Sequence, residues 1–142
     1  MPYASAAAAT EWPRLDGMTV LAVDDDLDSL KLVCVALGQC GATVLEAKSV
    51  AAAMSHLEQS TPDVIISDVA MPTQDGLDLV RQVRALDGPT SNVPMVALTA
   101  FTSDDDRRRI LAAGFNAYLA KPVAPLELMR IIGNLKNEGA TT

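Results

Sequence analysis

Apolar positions along this 142-residue chain fall into two alternating rhythms. Short, nearly continuous apolar runs occupy Thr19 to Val23, Thr43 to Ala47, Asp63 to Ser67, Pro94 to Leu98 and Ala117 to Ala120, which predicts five buried strands. Between them apolar residues recur at helical spacing. The first predicted helix carries Leu30, Val33, Cys34 and Leu37 at i, i+3, i+4 and i+7, with Gly41 just past its end as a cap. The second opens at Ser49, a good N-cap, and buries Val50, Met54 and Leu57. The third, from about Asp75 to Leu86, turns Leu79, Val80, Val83 and Leu86 inward. The fourth opens at Ser103 with Asp104, Asp105 and Asp106 on the positive end of the helix dipole. Arg107, Arg108 and Arg109 follow, and pairing at i, i+4 makes that charge run a solvated face. The fifth, from about Pro125 to Leu135, buries Leu128, Met129, Ile132 and Leu135.

Strand and helix alternating five times predict an α/β fold, a parallel sheet with helices on both faces. Acidic residues end strands one and three and must converge, which makes those strands neighbours. That gives the flavodoxin-like doubly wound (βα)5 order, 2-1-3-4-5, with its crevice at the switch point between strands one and three. Residues 18–137 form this domain. Residues 1–17 read as an Ala-rich flexible extension broken by Pro2 and Pro13, mobile or docked weakly through Tyr3 or Trp12. Residues 138–142 read as a frayed tail.

Composition narrows the function. The core must be aliphatic, since 49% of residues are hydrophobic and only 4% aromatic. A net charge of −7 argues against nucleic-acid binding through this domain, because phosphate contacts need clustered Lys and Arg. No apolar run approaches the roughly 20 residues that span a bilayer, and the first residues lack a signal peptide's basic and bulky apolar parts. Cys34 and Cys40 lie about 240° apart around one helix and cannot pair while helical. They read as reduced core or near-core residues of a cytoplasmic protein.

The chemistry gathers at the carboxyl ends of the strands, where ligands bind in open α/β sheets. Asp24-Asp25-Asp26 follows strand one, Asp68 follows strand three, Thr99 strand four and Lys121-Pro122 strand five. Asp24, Asp25 and Asp68 crowded together repel one another unless a cation intervenes. One Mg2+ and the Lys121 ammonium would balance their charge, and a few carboxylates, a backbone carbonyl and water suit that ion. The set suits handling a phosphoryl group, with Asp68 as carboxylate nucleophile and Lys121, the Thr99 hydroxyl and backbone amides near residues 69 and 100 receiving the added charge.

From about Met18 to Lys136 the chain resembles the receiver domain of two-component response regulators. The motifs match in order: the acidic pair Asp24-Asp25, then Asp68 with Met71-Pro72 and Asp75-Gly76, then Thr99-Ala100, then Lys121-Pro122. The resemblance implies phosphotransfer to Asp68 from a phosphohistidine on a sensor histidine kinase or histidine phosphotransfer domain. It implies Mg2+ held by Asp25, Asp68 and the Ala70 backbone oxygen, with Asp24 acting partly through water. It also implies a switch, in which the Thr99 hydroxyl moves to the phosphoryl group and Tyr118 rotates inward. That remodels a face of the fourth helix, fifth strand and fifth helix for a downstream protein. Such a domain is a signalling phosphoacceptor rather than an enzyme. Ala70 and Phe101 match the positions that gate water at the phosphoryl group, and neither supplies a general base, so self-dephosphorylation is expected to be slow. Leu15 to Leu21 resembles receivers attached to hybrid kinases, and with no kinase or DNA-binding segment after residue 142 a stand-alone regulator is the other expectation.

Blander readings compete at some of these residues. Asp24 and Asp25 are not needed as helix caps, since Asp26 or Asp28 suffices. Tyr118 also reads as a fixed, half-buried aromatic, and Phe101 as packing on the fourth helix. His56, the only histidine, reads as a surface residue. A Mg2+-dependent phosphatase or phosphotransferase of haloacid-dehalogenase type would use the Asp24-x-Asp26 pattern, with its nucleophile on strand one rather than strand three. A phosphorylation-independent interaction module is the remaining alternative.

Overall fold

The structure, a computed structural model, describes residues 14–70, 75–100 and 103–141. Five parallel strands, β1 (Thr19–Val23), β2 (Thr43–Ala47), β3 (Val64–Asp68), β4 (Met95–Thr99) and β5 (Ala117–Ala120), form one sheet in the order β2-β1-β3-β4-β5. Five α-helices alternate with them: α1 (Leu27–Gln39), α2 (Val50–Gln59), α3 (Gly76–Arg84), α4 (Asp104–Ala113) and α5 (Pro125–Thr141). A 3-10 turn, Pro89–Asn92, leads into β4. The expected topology is the observed one.

Every residue of β3 and β4 is buried, because helices cover both faces of the middle of the sheet. Alternation along each strand divides the core in two. Val20, Ala22, Ile66 and Leu98 face α1 and α5, meeting Leu30, Leu37, Leu128 and Ile132. Leu21, Val23, Ile65 and Ala97 face the other three helices, meeting Val50, Leu79, Val83 and Ile110. On the edge, β2 exposes Thr43 and Glu46, which suits a strand paired on one side only.

Several expected boundaries move. β3 and β4 start and end one residue later than the apolar runs suggest, so Asp68 and Thr99 are the last residues of their strands. Pro94 has no N–H to give β4, and Asp63 instead accepts the Thr19 N–H through its carboxylate at 2.7 Å. Helix α3 stops at Arg84, leaving Leu86 beyond it but still packed on the core. Met54 and Leu135 are half-buried rather than core. Within the stretch expected as an extension, Leu15 is fully buried and its N–H donates to the Cys40 carbonyl at 2.8 Å, while Arg14, Asp16 and Gly17 are exposed. Tyr3 and Trp12 lie outside the described residues. The tail expected to fray from residue 138 is helical through Thr141, as continuation of α5.

Local chemistry sets the helix ends. Gly41, at φ +98°, closes α1 in a Schellman motif, with its N–H on Gly38 and the Ala42 N–H on Leu37. Asp75 and Asp78 cap α3 reciprocally, as Ser103 and Asp106 cap α4. The acids and arginines of α4 pair at i, i+3 rather than the expected i, i+4, at 3.8 to 4.0 Å, on exposed side chains except for the half-buried Asp106. Cys40 is buried and its thiol donates to the Met129 sulfur at 2.7 Å. Burial pushes the Cys34 thiol up to about 11, so it is protonated and unreactive near neutrality.

Arg84 is the contact the sequence did not announce. Its guanidinium donates to the carbonyls of Ser91, Val93 and Gly114 and to the Asn116 side-chain oxygen, at 2.7 to 3.1 Å. Burial pulls its pKa down. The last turn of α3 and the end of α4 both present carbonyls, so the dipoles of two helices favour a cation there. Replacing Arg84 with Met strands these acceptors. We expect a loss of about 2 kcal/mol in urea unfolding, with an unchanged denaturant slope.

Candidate functional site

The register of the three central strands assembles the site. Val23 lies opposite Ser67, so Asp24, the next residue of the first chain segment, reaches the level of Asp68. Leu98 lies opposite Asp68, and Thr99 one step on is buried, 1% exposed. Thr99 pairs with Ala120 and accepts the Lys121 N–H through its carbonyl at 2.9 Å, which delivers the Lys121 side chain to the same edge. The Lys121–Pro122 peptide bond is cis.

Lys121 Nζ lies 3.1 Å from Asp24 Oδ2 and 3.3 Å from Asp68 Oδ2. Asp24 and Asp68 are 2% and 6% exposed, so both carboxylates share this ammonium largely out of water. Each has a second partner: the Asp26 N–H donates to Asp24 Oδ1 at 2.9 Å, and the Ala70 N–H to Asp68 Oδ1 at 3.3 Å. Burial, then the charge of Asp24, pushes the Asp68 carboxyl above the usual range, and Lys121 only partly opposes this. Burial alone would lower Lys121, but the hydrogen bonds and charges of Asp24 and Asp68 outweigh it and its pKa rises.

The three consecutive aspartates divide their work. Asp24 points into the site. Asp26 caps α1, accepting from the Asp28 N–H at 3.1 Å and the Ser29 hydroxyl at 3.0 Å, and these bonds hold its pKa down. Asp25 is exposed between them, and a carboxylate oxygen from each of Asp24, Asp25 and Asp68 lies within 4.8 Å of the others. An all-oxygen donor set of this charge fits a hard divalent cation such as Mg2+. The haloacid-dehalogenase pattern needs both Asp24 and Asp26 at the reacting centre, and here Asp26 is committed to the helix.

Beside Asp68 a cavity of about 350 Å³ is lined by Ala70, Leu77, Thr99, Asp106 and Arg109, among others. Tyr118 is half-buried on β5, over the same face of the sheet. Phe101, with Met71 and Pro72, lies outside the described residues. His56 stands apart on α2, its Nε2 2.9 Å from the Glu46 carbonyl at the β2 edge. Gly76 has a role that its place in a motif did not explain. A Cβ there would run into the Asp68 carbonyl oxygen and come within 2.9 Å of the Val69 Cα. Its N–H donates to the Val69 carbonyl at 2.8 Å, tying the start of α3 to the end of β3. The only signal in the sequence was a glycine directly after an N-capping aspartate.

A sequence model of the family described as response regulator receiver domain matches residues 20–133. An uncharacterized 14.6 kDa protein in the sodA1 3' region of Leptolyngbya boryana is 46% identical over 116 residues, 81% of this chain and 87% of that protein. The transcriptional regulatory protein PrrA of Mycobacterium leprae is 39% identical over 123 residues, which are 86% of this chain but only 52% of that regulator. The chain thus spans about half the length of this relative. Among solved structures, the chemotaxis response regulator CheY4 of Vibrio cholerae superposes with a TM-score of 0.78 at 31% identity, covering 83% of this chain and 98% of that one.

The raised Asp68 pKa has a pH consequence. Its native value lies above the unfolded one, so its contribution favours the native state at low pH and is lost as pH rises through the native value. At neutral pH without metal, Asp68→Asn is therefore expected to melt a few degrees above wild type. Millimolar Mg2+ is expected to raise the melting temperature of wild type and to do so far less in Asp68→Asn or Asp25→Asn. A wild-type melting curve indifferent to Mg2+ would contradict the metal assignment.

Proposed function

This chain belongs to the response regulator receiver family, and from that premise we propose that Asp68 accepts a phosphoryl group. The observation that carries the reading is the buried Asp68 carboxylate at the end of β3, with Lys121 3.3 Å away and Asp24 beside it. The donor would be a phosphohistidine on a sensor histidine kinase or histidine phosphotransfer domain. An Asp68 oxygen attacks phosphorus in line, the phosphorus–nitrogen bond breaks, and the imidazole nitrogen leaves with its electron pair. There is little covalent chemistry for other side chains to do, so positioning and charge carry the step. The Ala70 amide and Lys121 orient the two Asp68 oxygens. Asp24, Asp25, Asp68 and the Ala70 carbonyl would hold Mg2+, which when bound neutralises charge on the phosphoryl oxygens.

The acyl phosphate carries about one more negative charge than the carboxylate it replaces. In the proposed switch the Thr99 hydroxyl turns to it, and Tyr118 moves into the space given up. The face built from α4, β5 and α5 is thereby changed for a downstream protein. The chain acts as a signalling phosphoacceptor, with at most self-phosphorylation and slow self-dephosphorylation as activities of its own. The phosphodonor would dock beside the site on α1, where Leu27, Leu32 and Val35 are exposed large apolar side chains. Leu32 also lines a groove with Lys121, Pro122 and Val123. The proposed receiver unit spans residues 18–137, with residues 1–17 as an extension anchored to it through Leu15. Among the described residues no helix is long and apolar enough to cross a membrane. The proposed phosphohistidine donors place the domain's work in the cytoplasm.

Intact-mass measurement after incubation with a small phosphodonor and Mg2+ tests the central claim. One phosphate adduct is expected on wild type, and none on Asp68→Asn or after chelation. An adduct that survives the substitution would place the phosphoryl group elsewhere. Decay of the adduct tests the gating pair: replacing Ala70 by Asn and Phe101 by Glu together is expected to hasten it, since polar groups then orient water.

A further inference from the structure

We infer that Arg107 is a positioning residue for Tyr118, holding the ring at the surface while Asp68 is unmodified; this rests on the switch reading above. The Arg107 guanidinium carbon lies 5.5 Å from the centre of the Tyr118 ring, within cation–π range. Its backbone is firmly placed, because the Arg107 N–H bonds the Ser103 carbonyl and Ser103 forms the capping box with Asp106. The charged partner of Arg107 is a weak one: Asp104 lies 3.8 Å away with both side chains exposed. The ring is thus the better-ordered anchor for this side chain.

Tyr118 has somewhere to go. It stands opposite Ala97 in the sheet, and Thr99 lies two residues further along the same face. The cavity of about 350 Å³ next to Asp68 is lined on that face by Thr99 and by Ile110 of α4. A ring moving toward Thr99 leaves the Arg107 guanidinium behind. Arg107 therefore favours the outward ring, and because it belongs to α4 it ties ring position to helix position. Loss of the contact is expected to change the ratio of inward to outward rings roughly two- to fivefold, the factor an exposed cation–π contact carries.

The test uses the full chain with 3-fluorotyrosine, whose two fluorine signals report Tyr3 and Tyr118 and are assigned with Tyr118→Phe. In unphosphorylated protein, Arg107→Ala is expected to move the Tyr118 signal toward its position in phosphorylated wild type, with Arg107→Lys in between. Phosphorylation by a small donor is expected to quicken by the same factor. Arg108→Ala, which removes the neighbouring arginine and its pair with Asp105, is expected to leave the signal in place. A Tyr118 signal unmoved in Arg107→Ala, or moved equally in Arg108→Ala, overturns the inference. Should Asp68 take no phosphoryl group at all, the functional reading falls. The comparison of unphosphorylated proteins then still decides whether Arg107 holds the ring.

Discussion

Two carboxylates held side by side out of water, with one ammonium against both, set the terms for the rest of this molecule. Asp24 and Asp68 are brought to the same level of the sheet by the pairing of β1 with β3. Lys121 offsets part of the repulsion, yet Asp68 stays above the usual carboxyl range. A group of this kind makes the native state less stable than it would be with an amide in its place. The domain tolerates it because stability is supplied elsewhere, by an aliphatic core on each face of the sheet and by helices closed with capping boxes and a Schellman glycine. The same unresolved charge is what leaves the site receptive to a cation.

The position of each element follows from keeping that charge cluster in register. β3 and β4 are buried along their whole length and end on polar residues, Asp68 and Thr99, with Ser67 beside Asp68 turned to the Asp68 carbonyl. Gly76 lets α3 begin directly against the Asp68 carbonyl, and Asp26 uses its side chain to start α1. Helix beginnings thus crowd the acids, where their unpaired N–H groups complement negative charge.

Much of this was legible in the chain because the site lies at strand ends. The change from an apolar run to Asp24, Asp68, Thr99 or Lys121 is a break in pattern, and parallel topology sends all such breaks to one edge. Boundaries were less legible. Apolar Pro94 extends the run before β4 but cannot donate to the ladder, and Leu15 looked like part of an Ala-rich tail although its N–H meets Cys40. The contacts of Arg84 were not legible at all, since all its acceptors but the Asn116 side chain are backbone carbonyls, those of Ser91, Val93 and Gly114, which no side-chain pattern reveals. Arg107 read as one of three solvated arginines for a similar reason. Its contact with Tyr118 depends on how α4 lies across β5, not on spacing along the helix.

The bonds from Arg84 to Gly114 bear on how α4 can move. They fasten the helix at the end remote from the acids, while its first turn abuts the cavity beside Thr99 through Asp106. A rod held at one end pivots rather than slides. For a ten-residue helix, about 15 Å long, a tilt of roughly 10° carries the free end some 2.6 Å and leaves the fastened end in place. In the proposed switch, a protein reading this surface would therefore register an angle, with the amplitude greatest where α4 comes closest to Asp68 and the fulcrum at Gly114.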